Sequence, residues 1–219
     1  MFDRVSYKRA AKEKLRGTWF PTAAIITVIY IVVALLVSKL ADKENYAMSI
    51  VALVLNIVVT GVFTIAMAHF YLEYIKLESG KKPEFSTFID GFNYYLKGIL
   101  GFLWMYIWVF LWTLCFIIPG IIKAIAYSQM FYILAENPNV SVSKAMRMSI
   151  EMTKGHKTDL FVAALSFIGW ILLSCLTAGI LLIWVVPYMH LTFVNIYQYL
   201  KSEALRTGSL TQADFDEDR

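Results

Sequence analysis

Histidine, cysteine and charge are all scarce in this chain, and each scarcity closes off a class of protein. Three histidines, His69, His156 and His190, and two cysteines, Cys115 and Cys175, leave no spacing of the kind that builds a zinc site. His69 and Glu73 share a helix face at i, i+4, but a metalloprotease helix needs a second histidine there, so the pair reads as neighbours near a membrane edge. Both cysteines lie inside apolar runs and read as small buried hydrophobes, towards the same membrane face. No serine, cysteine or lysine stands in a nucleophile motif, and no glycine-rich phosphate loop occurs. The expectation is a protein that is not an enzyme, with no cofactor, no metal and no nucleic-acid partner. Charged residues are 16% of the 219, whereas a soluble domain has about a quarter. No soluble domain is expected.

What is abundant is apolar. Hydrophobic residues make up 59% and aromatics 16%, and the mean hydropathy is +0.62. The run from Trp19 to Val37 is too long for a signal-peptide core and lacks a small-x-small cleavage site, so it reads as an uncleaved span. Before it, residues 3–16 form a basic surface helix with a thin stripe of Val5, Ala11 and Leu15, ended by Gly17. The first span runs from Trp19 to Leu40, with Trp19 at headgroup level and Pro21 in the first turn. ADKENY is a polar turn. The second span, Ala47 to Leu77, would be about 46 Å long and overshoots a hydrocarbon core of about 30 Å. Phe85, Phe88, Ile89 and Phe92 share one face of a second surface helix that starts at Pro83-Glu84.

Residues 97–135 would make a helix of about 58 Å, so the chain must reverse, and Pro119-Gly120 is the expected turn. The third and fourth spans then cover 97–118 and 120–135. Residues 140–155 form a third amphipathic helix, with Val142, Ala145, Met146, Ile150 and Thr153 on its apolar side. The fifth span runs from Asp159 to Thr177, Ala178-Gly179 turns, and the sixth runs from Ile180 to Leu200 with a kink at Pro187. The reading is an all-α polytopic membrane protein. It has six transmembrane helices in three hairpins, each preceded by a cytoplasmic interfacial amphipathic helix. One membrane domain occupies 1–206, in repeat-like units of 1–77, 78–137 and 138–206, and a disordered acidic tail occupies 207–219. With the amino terminus inside, 17 of the 20 Lys and Arg side chains fall on the cytoplasmic side, which sets both termini there.

The blocks IIPGIIKAIAYS (117–128), ILAENPNVSVSKAMRMSIEMTKGHK (133–157) and SFIGWILLSCLTAGILLIWVVPY (166–188) resemble the bacterial integral membrane proteins grouped as the domain of unknown function 975 family. More loosely, they are similar to the membrane domain attached to some glycerophosphodiester phosphodiesterases. The resemblance implies a multi-pass protein of the bacterial cytoplasmic membrane and brings no activity and no catalytic residues.

Functional candidates are therefore polar groups that lipid tails cannot solvate. Asn56, Gln129 and Asn195 each lie in the second helix of a unit and are expected to converge on a polar interior. Trp104, Trp108 and Trp112, at i, i+4 and i+8, form a stripe suited to a lipid-tail groove. Pro119, Gly120 and Pro187 are the hinge or turn positions. The expected function is a non-enzymatic permease or translocation accessory for lipid or another amphiphile, the alternative being a membrane-shaping or partner-docking scaffold. Membrane lipids, among them anionic head groups at the cytoplasmic face, are the expected partners, with a protein partner or a homo-oligomer also open.

Overall fold

A computed structural model describes residues 2–18, 22–41, 45–78 and 80–216. Most of those residues are helical, with no strand among them. Trp19, Pro21 and the centre of the ADKENY turn lie outside the described residues.

Helix α1 (Arg4–Leu15) starts where the Asp3 carboxylate accepts the Val5 and Ser6 amides, satisfying two of the free donors of a first turn. Only Ala11 and Leu15 of its expected stripe are buried; Val5 is exposed. Helix α2 (Thr22–Ser38) has 17 residues, about 25 Å. Helix α3 (Tyr46–Lys76) is capped by Asn45, whose side chain accepts the Met48 amide. At 31 residues it is the longest helix described, and its buried side chains cluster from Gly61 to Tyr74.

The second surface helix is not separate from the third span. Helix α4 (Phe85–Asp90), a 3-10 turn (Gly91–Tyr94) and α5 (Tyr95–Cys115) form one helical run, because nothing in residues 85–115 breaks it. Phe88 is buried and contacts Phe63, Phe70 and Phe92, while Phe85 and Ile89 stay exposed, so the expected aromatic face is divided between core and surface.

The reversal after α5 occurs at Phe116, whose backbone is extended, and not at Pro119-Gly120. Helix α6 (Ile117–Tyr127) begins directly afterwards. Pro119 falls in its first turn, where a missing amide donor has no consequence. Gly120 allows the two arms to close, since a Cβ there would lie 2.2 Å from Thr113 Oγ1. The fourth span is also interrupted: Ser128 and Gln129 separate α6 from α7 (Met130–Glu136).

Helix α8 (Val142–Thr153), N-capped by Ser141, packs on α5, α6 and α7 and buries Ala145, Met146, Met148, Ser149, Met152 and Thr153. It is a core helix on that side; Val142 and Ile150, expected on its apolar side, are only half-buried. The fifth span is likewise two helices, α9 (Lys157–Leu165) and α10 (Ile168–Leu176), separated at Ser166-Phe167. Ala178 and Gly179 turn with positive φ. Helix α11 (Leu182–Thr207) then runs through Pro187 as one element. The tail, expected to lack structure from 207 on, carries a short α12 (Gln212–Asp216), with Leu210 and Phe215 buried.

Four helical runs among the described residues are long and apolar enough to cross a membrane: 46–76, 85–115, 117–136 and 157–176. The first and sixth expected spans are not among them. Helix α2 is apolar but, at 17 residues, shorter than these, and in α11 Pro187, His190, Asn195 and Gln198 dilute the apolar run. Exposed large apolar side chains concentrate in 25–55, 95–122 and 161–184, whereas the core lies where the second half of α3 meets α7 and α11, with α8 packed on those two.

Candidate functional site

Both interrupted helices are completed by a side chain from another element. At the break between α6 and α7, Ser149 of α8 accepts the Gln129 amide at 3.1 Å and donates to the Ala126 carbonyl at 2.7 Å. Thr153 adds a longer bond to the same carbonyl at 3.4 Å. One hydroxyl thus stands in for a donor and an acceptor that an unbroken helix would pair internally, which is how an inserted side chain opens a helix without leaving its backbone unbonded. Gln129, Ser149 and Thr153 are all fully buried. The Gln129 carboxamide nitrogen donates to Ser128 Oγ, while its oxygen is buried with no partner among the described residues.

At the break between α9 and α10, Lys8 of α1 donates to the Ser166 carbonyl at 3.2 Å and sits 4.0 Å over the Phe167 ring. Burial, and then the charge of Arg4, hold the Lys8 ammonium below its ordinary range. Lys14 makes the corresponding contact to the Leu77 carbonyl just past α3, and Lys97 reaches the Pro138 and Val140 carbonyls just past α7. Cations bonded to carbonyls at helix C-termini meet both the orphan acceptors and the negative end of the dipole. Three of the lysines that the sequence assigns to the cytoplasmic side are therefore engaged with carbonyls of the protein.

A second polar cluster ties α7 to α11. Glu136 accepts from the Tyr197 hydroxyl at 2.5 Å and from Lys201 at 2.8 Å, with both charged side chains mostly covered. Lys201 also lies 4.6 Å over the Phe215 ring, so the folded tail covers this pair.

The three amides expected to converge do not meet. Gln129 is at the α6–α7 break; Asn195 donates to the Tyr7 carbonyl of α1 at 3.3 Å. Asn56 lines an open groove of about 370 Å³ between α3 and α5 with Thr60, Tyr106 and four apolar side chains. Trp104, Trp108 and Trp112 are exposed along α5; the first two rings meet edge-on at 6.0 Å, and Lys123 sits 4.6 Å over Trp112. None of the three lines the groove that holds Asn56. His69 packs on Tyr94 and Glu73 pairs with Lys76, and among the described residues no cluster of His, Cys, Asp and Glu could hold a metal. Cys115 and Cys175 are free and exposed, not buried.

The sequence reading missed a groove of about 310 Å³ between α6 and α9. Ile118, Ile121, Ile122 and Ile125 form one wall, Phe161 stands opposite, and Lys157 and Thr158 are its polar members. The spacing of the four isoleucines on one helix face was its only signal.

A family model described as a protein of unknown function (DUF975) matches residues 1–126 and 114–204. No curated protein and no solved structure matches the chain.

Proposed function

We propose that this chain, which belongs to the DUF975 family of proteins of unknown function, is a non-enzymatic integral membrane protein that binds an anionic amphiphile, acting as a permease or translocation accessory. The observation that carries this reading is the α6–α9 groove, apolar along its length with one ammonium and one hydroxyl among its lining groups. From Ile118 to Ile125 the groove follows α6 for about 10 Å, the length of some eight methylenes of an acyl chain. In a bilayer that chain gains little by moving from lipid to protein, since both are apolar. Selectivity must then come from Lys157 and Thr158 acting on the head group, at about 1 kcal/mol for a well-placed lysine. In this reading the chain lies in the bacterial cytoplasmic membrane with both termini inside.

The test is lipid retention by the purified protein in mixed phosphatidylglycerol and phosphatidylcholine, read by native mass spectrometry. Wild type is expected to retain phosphatidylglycerol about fivefold over phosphatidylcholine, and Lys157→Gln to lose that preference. Equal retention of the two lipids by wild type would overturn the reading. Exposure of Phe85 and Ile89 beside Tyr95 and Leu96 favours the scaffold alternative, in which a partner covers that face. There, Phe85→Glu with Ile89→Glu would abolish function while lipid retention stayed intact.

A further inference from the structure

We propose that two copies of this chain pair within the membrane along the face of α3 that carries Asn56, with the two Asn56 carboxamides bonded to each other across a two-fold axis.

Asn56 lies ten residues into α3, about 15 Å from its amino-terminal end, which is the middle of a hydrocarbon core about 30 Å thick. Its carboxamide is half-exposed into the groove between α3 and α5 and has no hydrogen-bond partner among the described residues. The hydroxyls of Thr60 and Tyr106, in the same groove, have none either. Three polar groups therefore open onto a surface where acyl chains offer nothing to bond, and an unpaired amide there costs several kcal/mol. Lipid head groups are half a bilayer away, so a polar surface must come from protein.

The pattern around Asn56 fits a second copy of this chain. Ser49, Leu53, Asn56 and Thr60 fall at i, i+4, i+7 and i+11, the seam of a left-handed helix pair. On α5 the Phe102, Tyr106 and Phe110 rings stack at 6.2 and 6.3 Å and flank that seam. Copies inserted in one orientation are related by an axis along the membrane normal, which brings each seam position against itself. A carboxamide is both donor and acceptor, so it is complementary to its own image, and one buried Asn at a seam position fixes register and pairing. Leu53 packs against Leu53 of the other copy. The groove holds no charge that would repel its image.

The experiment uses full-length protein in native membranes, with Cys115→Ser and Cys175→Ser and one new cysteine. Leu53→Cys, on the seam, is expected to give a dimer-sized product with a short bis-maleimide. Val51→Cys, exposed on the opposite side of α3, is expected to give none. In a second arm, dye-labelled protein is diluted with lipid in liposomes and dimer dissociation is read by energy transfer. Asn56→Leu is expected to raise the dissociation constant about 3- to 20-fold, the range measured for interhelical side-chain hydrogen bonds in membranes. Trp108→Phe, off the seam, should leave it unchanged. Equal cross-linking from Val51 and Leu53, no Leu53 product, or a dissociation constant indifferent to Asn56→Leu would each overturn the proposal. So would a monomer that retains an amphiphile at this groove. If Asn56→Leu failed to fold, the two cysteine positions, which keep Asn56, would decide alone. Loss of lipid preference at Lys157 has no bearing on these readouts, so this pairing and the α6–α9 groove stand or fall separately.

Discussion

Ser149 holds the interior together at a helix break. Its hydroxyl serves two backbone groups, the Gln129 amide and the Ala126 carbonyl, on a helix to which it does not belong. Ser149→Ala would leave the amide without a partner and the carbonyl with only the long Thr153 contact, both in a fully buried setting. The expected cost is about 1–2 kcal/mol, because the price of a buried unmade bond exceeds the modest net value of a made one. Ser202→Ala, whose hydroxyl makes one exposed bond to its own helix, should be close to neutral. Denaturant unfolding in detergent, followed by far-ultraviolet circular dichroism, compares the two; equal midpoints would contradict the role given to Ser149. This residue also marks where the sequence stops being legible. Asp3, Asn45 and Ser141 announce helix starts by local chemistry, and each of them caps the helix that follows it. Ser149 sits mid-helix in an amphipathic pattern, and nothing local says that its partner is a break twenty residues earlier.

Between elements, α3 and α5 approach backbone to backbone. A Cβ on Gly98 would lie 2.5 Å from the Gly61 carbonyl oxygen and 2.6 Å from Ile65 Cγ2, so the two backbones touch with no side chain between them. Small residues at such a crossing are the usual basis of tight helix contact in lipid, where dispersion replaces the hydrophobic effect as the driving force. Gly98→Ala must push the helices apart, at a cost of about 1–3 kcal/mol. Gly169→Ala, inside α10 with open space around it, should stabilise by about 0.5–1 kcal/mol through lower unfolded-state entropy. Opposite shifts in thermal midpoint for the same chemical change would confirm that contact, not composition, sets the sign. The same pair of helices carries the groove around Asn56, so Gly98→Ala should also disturb the seam. Length and the Pro119-Gly120 pair place the reversal three to four residues past Phe116, because a span cannot exceed the bilayer and Pro-Gly suits a turn. They misplace the turn because Pro-Gly also suits the first turn of a new helix, and only the extended Phe116 backbone separates the two. The breaks at Ser128-Gln129 and Ser166-Phe167 carry no proline or glycine, so no local rule marks them.

For the whole molecule, the exposed apolar side chains form bands on the hairpin arms while the buried core collects where α3, α7, α8 and α11 converge. The division suits a protein whose arms are covered by lipid and whose body is held by its own contacts. It also gives the two native cysteines a use. Cys115 ends α5 one residue before the Phe116 reversal, and Cys175 lies two residues before the Thr177 turn; both are exposed and free. On the proposed orientation, with the termini inside and all six apolar runs crossing, both thiols belong to the outer surface. A membrane-impermeant maleimide applied to intact cells is expected to label Cys115→Ser and Cys175→Ser single variants, each through its remaining thiol. A Ser209→Cys variant of the doubly substituted chain should react only after permeabilisation. Labelling of Ser209→Cys in intact cells would reverse the orientation. Labelling at Cys115 but not at Cys175 would show that α9 and α10, broken at Ser166-Phe167, do not cross, and that the carboxy-terminal hairpin dips into the inner leaflet. That outcome would leave α11, whose polar residues keep it below the hydropathy of the other runs, outside the bilayer as a helix of the cytoplasmic body. The two thiols thus separate a six-span arrangement from one in which only α2, α3, α5 and the α6–α7 run cross, with residues the chain already carries.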